Sequence, residues 1–277
     1  GGLTNINFLA GLPQLTNLWC GVNFYSDSAP LAGLTNLTEL RLTDLPFMDF
    51  SCVATFSNLA TLAIGNNPLT NASFVDNLTK LKTLYLSESY LTHSPVLSNK
   101  PDLTILLLDH NELTEVPDLH GLANLTELWL SANRLSDPSP LTNAPGLTGL
   151  LLDNNSLTNI APLLALTNLG LVKVQENFLN TNAASADMAV VTSLQSRGVT
   201  VYYLPQKIIL LSSPQISGGQ FSFVINSPPG TVLQVLVSSN LLDWSLVTTI
   251  TIDTTGTATF TEPFVSSANR YYWLRKL

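Results

Sequence analysis

LTILLLDHNEL (103–113), LTELWLSANRL (125–135) and LTGLLLDNNSL (147–157) are three copies of one pattern, L-x-x-L-x-L-x-x-N-x-L. Each copy starts 22 residues after the one before it. The same step finds five further starts, at Leu15, Leu37, Leu59, Leu81 and Leu169. The register therefore holds across eight copies. A fixed period of this size predicts a solenoid, in which each copy forms one coil and buries its apolar side against its neighbours.

Within each repeat, numbered here from 1 at the first leucine to 22, the apolar residues alternate as in a β-strand. Positions 4 and 6 are apolar and alternate with positions 3, 5 and 7, the pattern of a strand with one buried face. Leu128 and Leu130 are therefore expected to point into the core, and Trp129 between them to face outward. The short return path leaves room for 3₁₀ or extended segments and not for long helices.

Position 9 of the repeat is asparagine in six of the eight copies. A side-chain amide that points inward there can satisfy backbone groups where the chain leaves the strand. The second and fourth repeats carry Leu45 and Ser89 instead, and we expect local distortion at both. The six asparagines are Asn23, Asn67, Asn111, Asn133, Asn155 and Asn177.

The repeat motif resembles that of the leucine-rich-repeat family over roughly residues 3–203. Its 22-residue length, with L-T-N-L at repeat junctions such as 166–169, is similar to the internalin type of bacterial repeat. The resemblance implies a right-handed parallel-β horseshoe with little helix. It also implies a binding protein that is secreted or exposed at the bacterial cell surface.

The solenoid is predicted to occupy residues 1–205, with a C-terminal cap at about 180–203. Ser185 has the features of a helix N-cap and Gly198 those of a helix stop. Val199 and Val201 are then expected at positions 4 and 6 of a last coil that starts at residue 196. Residues 3–12 fit the second half of a coil, and no signal peptide precedes them, so we expect the chain to be part of a longer protein.

After residue 206 the period is lost, and short strand-like segments alternate with turns rich in Gly, Pro and Ser. This pattern predicts a small all-β antiparallel sandwich domain over residues 206–277. The segments 235–247 and 270–274 resemble C-terminal modules of secreted proteins from environmental bacteria. Trp244 and Trp273 are expected in its core.

The sequence contains no motif that indicates catalysis, a cofactor or a metal site. No G-x-S-x-G, P-loop or G-x-G-x-x-G is present, and the three histidines lack the spacing of metal ligands. Asp109 and Asp153 share one repeat position two coils apart, roughly 10 Å, which is too far to share a calcium ion. Cys20 and Cys52 are predicted on opposite sides of the solenoid and are interpreted as free thiols. We expect a protein that is not an enzyme.

The charge distribution and the lengths of the apolar runs disfavour two kinds of partner. Residues 206–277 hold four basic and three acidic residues, so the net charge of −8 arises from −9 on residues 1–205. An acidic solenoid of this kind is not expected to bind nucleic acid. No run approaches the ~18–20 apolar residues that span a bilayer, so membrane insertion is not expected either.

The outward positions 3, 5 and 7 form the face on which we predict binding. Exposed aromatic and aliphatic side chains beside carboxylates are typical of interaction sites. A protein partner is the leading hypothesis. A carbohydrate stacked on Trp19, Tyr85 and Trp129 is the alternative, and a third hypothesis is a structural spacer within a larger adhesin or secreted enzyme. The predicted binding residues are Trp19, Arg41, Tyr85, Ile105, Leu107, Asp109, Glu127, Trp129, Ser131, Leu151, Asp153 and Lys173.

Overall fold

The computed structural model describes residues 2–45, 49–69, 71–181, 183–206, 210–227, 230–240, 242–264 and 270–276. It confirms the predicted leucine-rich-repeat solenoid, with one nine-stranded parallel sheet whose strands follow chain order. The strands are β1 (Asn17–Trp19), β2 (Glu39–Arg41), β3 (Thr61–Ala63), β4 (Thr83–Tyr85), β5 (Ile105–Leu107), β6 (Glu127–Trp129), β7 (Gly149–Leu151), β8 (Leu171–Lys173) and β9 (Thr200–Tyr202).

Each of the first eight strands consists of positions 3 to 5 of its repeat, paired with the same positions of the next coil. Positions 4 and 6 point into the core, where Leu128 and Leu130 are fully buried. Short 3₁₀ helices follow on the return path, as expected. They are Asn7–Gly11, Ala29–Leu31, Ser51–Thr55, Ser73–Val75, Ser139–Asn143 and Ala161–Ala165.

The asparagines at position 9 form the inner ladder that the sequence predicts. The side-chain nitrogen of Asn133 donates to the carbonyl oxygens of Leu130 (3.1 Å) and, in the preceding coil, Leu108 (2.9 Å). Its side-chain oxygen accepts from the backbone nitrogen of Leu113 at 3.0 Å. The amide therefore satisfies buried backbone groups of two coils at once.

Position 8 has a left-handed backbone in all eight repeats, although none of these residues is glycine. Where Ser89 replaces the ladder asparagine, Tyr90 also has a positive φ of 58°, which is the local distortion expected in the fourth repeat. The distortion expected at Leu45 falls partly on residues 46–48, which lie outside the described residues.

The C-terminal cap of the solenoid contains helix α1 (Ala186–Ser196). Its N-cap is Ser185, as predicted, since the Ser185 hydroxyl accepts from the backbone nitrogen of Met188 at 3.1 Å. The predicted register of the last coil was wrong by two residues. Val201 pairs with Val172 at position 4, so the step from the eighth repeat is 29 residues and not 27. Val199 is buried before the strand begins.

The C-terminal part of the chain is antiparallel, as predicted. The strands β10 (Leu210–Ser217), β11 (Gln220–Asn226) and β14 (Thr257–Pro263) form one three-stranded sheet, and β12 (Val232–Ser238), β13 (Ser245–Thr251) and β15 (Tyr271–Lys276) form another. Side chains of both sheets share one apolar cluster that includes Phe223, Leu233 and Phe260. Residues 207–209, the start of the first predicted strand, lie outside the described residues.

The core assignment of Trp244 and Trp273 was wrong. The two indoles contact each other edge to face, with ring centroids 5.7 Å apart, and Trp273 is half exposed. Trp273 belongs to an outward position of β15, because its inward neighbours Tyr272 and Leu274 pack on the apolar cluster. The division into domains at 1–205 and 206–277 stays a prediction. It is supported by the two separate apolar clusters of the described residues.

Within the described part of the chain, no helix is long and apolar enough to cross a lipid bilayer.

Candidate interaction surface on the concave face

The concave face, defined here as the side of the nine-stranded sheet that carries positions 3, 5 and 7, contains all twelve predicted binding residues. The strand register aligns them in rows, because equivalent positions of neighbouring coils pair directly. Position 5 forms the central row. It consists of Trp19, Arg41, Ala63, Tyr85, Leu107, Trp129, Leu151, Lys173 and, from the cap, Tyr202.

At the N-terminal end of this row, Arg41 lies between two aromatic rings. Its guanidinium carbon is 4.9 Å from the ring centroid of Trp19 and 5.9 Å from that of Tyr85. The side chain reaches Tyr85 across the intervening coil because that coil carries only the small Ala63. These distances are those of cation–π contacts.

Glu39 fixes the orientation of this arginine. Its Oε1 accepts from Nε of Arg41 at 2.7 Å, and its Oε2 accepts from the side-chain nitrogen of Asn17 at 2.9 Å. The pKa of the Glu39 carboxyl is below its usual value, mainly because of the hydrogen bond from Arg41. Glu39 therefore stays ionised and the guanidinium stays in place over Trp19.

The centre of the concave face is apolar. Trp129 remains 39% exposed although Leu107 and Leu151 flank it on the adjacent coils. The two leucines and Ile105 are half-buried. The indole thus stands on a rigid sheet with aliphatic neighbours, the environment of a contact anchor.

Glu127 and the position-7 residues border this apolar centre. Ser87 donates to Asp109 at 2.5 Å and Ser131 donates to Asp153 at 2.6 Å. Asp109 and Asp153 are thereby each held by a serine of the preceding coil. In the ranges that the structure describes, no group of three potential metal ligands occurs.

Sequence analysis missed one residue of this surface, Tyr202. Lys173 lies with its Nζ 6.0 Å from the ring centroid of Tyr202, so the cap continues the central row by one strand. The aromatic pair Tyr202-Tyr203 after Val201 was the available signal. The predicted register was two residues off, so it assigned Thr200 and not Tyr202 to the central row.

The comparisons with known proteins agree with this fold. The family model described as Leucine Rich repeats (2 copies) matches residues 101–143. No curated protein matches the chain. The chain is similar to the structure of an internalin (inlF) from Listeria monocytogenes, with a TM-score of 0.62 and 24% identity over 73% of this chain and 57% of that one.

Two further internalin structures from the same organism are similar. Internalin C2 (inlC2) matches with a TM-score of 0.59 and 27% identity, over 72% of this chain and 84% of that one. The functional domain of InlJ matches with a TM-score of 0.53 and 23% identity, over 74% and 46% of the two chains. The chain thus spans less than two thirds of the inlF and InlJ structures. Its solenoid has the leucine-rich-repeat fold of the internalins.

Proposed function

We propose that this chain is a non-catalytic recognition module, secreted or exposed at a bacterial cell surface, that binds a protein partner on its concave face. One observation carries the proposal. Trp129 is exposed at the centre of a rigid sheet while Leu128 and Leu130 beside it are fully buried. The indole is therefore accessible to another molecule, and the buried leucines beside it close the coil. The shared internalin fold supports the secreted or surface location.

The composition of the face favours a protein over a sugar. Leu107, Leu151 and Ile105 surround Trp129 with aliphatic surface, which suits the apolar core of a protein interface. A sugar ring binds better to an aromatic face with polar neighbours. The ring of Trp19 is already covered on one side by Arg41, at 4.9 Å. Carbohydrate binding therefore stays the alternative, and a structural spacer the third hypothesis.

The proposal is tested by probing an array of extracellular protein domains and a glycan array with the same labelled chain. Trp129→Ala is the diagnostic variant. Glu115→Gln is the control, because Glu115 is exposed outside positions 3, 5 and 7. We expect binding to a protein ligand that Trp129→Ala weakens by roughly 30-fold or more, as loss of an aromatic hot spot does. The control is expected to bind as the original chain does.

Each other outcome favours a different function. A protein ligand that binds Trp129→Ala as tightly as the original chain would move the site off the concave face. Signal on the glycan array alone would establish the carbohydrate alternative. No signal on either array would favour the spacer.

A further inference from the structure

In the described part of the chain, a cation covers the ring of Trp19 and none covers that of Trp129. The carboxylate beside Trp19 lies on the next strand, and the one beside Trp129 lies on its own strand. At Trp19, the guanidinium of Arg41 covers the ring and is held by the carboxylate of Glu39. The chain therefore shows, in its own structure, how an indole and a position-3 carboxylate on this sheet hold an arginine.

Trp129 has the indole and the carboxylate but no such arginine. Glu127 occupies position 3 of the same strand, and the neighbours in the central row are Leu107 and Leu151. Within the described ranges of the chain, no lysine or arginine forms an ion pair with Glu127, Asp109 or Asp153. The charges around Trp129 are therefore not neutralised by the solenoid itself.

The position of the Glu127 carboxylate depends on Gly149 in the next coil. A methyl group added at Gly149 would lie 2.0 Å from Oε2 of Glu127. The absence of a side chain at Gly149 thus leaves the space that the carboxylate occupies. Any larger residue there would displace the carboxylate.

The other side of Trp129 is also acidic. Asp109 and Asp153 lie at position 7 of the two adjacent coils, and strand geometry places their Cα atoms roughly 8 Å from that of Trp129. Each accepts a hydrogen bond from a serine, which fixes the carboxylate and leaves its charge unchanged. The solenoid as a whole is acidic as well, with −9 on residues 1–205.

We propose that the partner presents an arginine side chain that stacks on Trp129 and pairs with Glu127, with Asp109 and Asp153 adding attraction from the opposite side. This inference rests on the proposed function, because it names the chemistry of the protein partner. Arginine is preferred to lysine because a planar guanidinium stacks on an indole while it donates two parallel hydrogen bonds to one carboxylate.

The test compares two peptides, acetyl-Leu-Arg-Leu-amide and acetyl-Leu-citrulline-Leu-amide, which differ in charge and hardly in shape. Binding is followed by NMR through the indole N–H of Trp129 in chain labelled with ¹⁵N-tryptophan. The sequence holds four tryptophans, so Trp129→Phe assigns the signal. We expect the arginine peptide to bind about tenfold more tightly, the usual worth of a hydrogen bond to a charged group.

Three variants of the chain sharpen the comparison. Glu127→Gln should remove most of the preference for the arginine peptide, and Glu115→Gln, with the same change in net charge, should keep it. Gly149→Ala alters no charge but displaces the Glu127 carboxylate, so it should reduce the preference as well. Equal binding of the two peptides, no shift of the Trp129 signal with either, or a preference that survives Glu127→Gln would overturn the inference.

The result is separable from that of the arrays. One outcome is that the arrays reveal a protein ligand that needs Trp129 while the two peptides bind equally. In that case the proposed function stands, and the inference that the partner presents an arginine is wrong. If no protein ligand needs Trp129, the proposed function fails whatever the peptides do.

Discussion

The ladder asparagines show how a single side chain supports two coils. Asn133 bonds to buried backbone groups in its own coil and in the preceding one. We predict that Asn133→Ala lowers the free energy of unfolding by about 2–4 kcal/mol, because it leaves several buried groups without partners.

The matched control is Asn124→Ala, at the last position of the preceding repeat. Asn124 is exposed and donates one hydrogen bond, to the carbonyl of Pro101 at 2.9 Å. Its loss should cost less than about 1 kcal/mol. Urea denaturation measures the free energy of unfolding of both variants. Equal losses would show that a ladder asparagine stabilises the chain no more than an exposed asparagine does.

Val22 is the least suitable residue among those at position 8. It has φ 57°, a conformation that β-branched residues strongly disfavour, and its side chain is exposed. Asn66 and Asn154 occupy the equivalent position of other coils. We predict that Val22→Asn raises the free energy of unfolding by about 1 kcal/mol, whereas Val22→Ile, which keeps the branched side chain, gives no gain. Identical melting of the two variants would contradict this.

At the scale of one coil, the fourth repeat contains an unusual buried lysine. Lys100 occupies position 20, which is Leu122 and Leu166 in other repeats, and it is fully buried. Its Nζ donates to the carbonyl oxygens of Asp76 and Val96 and to the side-chain oxygen of Asn99, at 2.7–3.1 Å. Burial lowers the pKa of the Lys100 ammonium from 10.5, and the charge of Asp76 opposes this effect.

This lowered pKa predicts a dependence of stability on pH. Between the lowered pKa and 10.5, the folded chain releases the Lys100 proton while the unfolded chain keeps it. The free energy of unfolding contributed by Lys100 therefore rises with pH across this window and is lost as the pH falls through the lowered pKa. Within this window, the stability of the original chain relative to Lys100→Met should increase with pH, by at most about 1.4 kcal/mol per pH unit. Urea denaturation at each pH measures the difference, and a constant difference would refute the prediction.

The period of 22 residues was sufficient to predict every strand of the eight repeats and the outward direction of Trp129. It could not predict the left-handed residues at position 8, since Val22 and Ala132 carry no sequence signal for that conformation. The period also could not predict the register of β9, because the helix that precedes β9 interrupts the 22-residue spacing. The contact of Arg41 with Tyr85 depends on the length of one side chain and on the small Ala63 beneath it, which strand periodicity does not describe.

For the whole molecule, the apolar clusters of the solenoid and of the C-terminal sheets share no residue in the described part of the chain. We therefore predict two unfolding transitions by calorimetry. Leu130→Ala should lower the midpoint of one transition and Phe223→Ala that of the other, because each removes a buried side chain from one cluster. A single transition that both variants shift would show that the two parts unfold as one domain.

Adjacent residues of the sixth repeat have different roles: Leu130 holds the coil closed, and Trp129 is available to a partner. The most direct test is equilibrium urea denaturation of Trp129→Ala and Leu130→Ala beside the original chain. We predict a loss within about 1 kcal/mol for Trp129→Ala and of about 2–5 kcal/mol for Leu130→Ala. If Trp129→Ala unfolds as readily as Leu130→Ala, the indole is part of the core and the concave face is not a free surface.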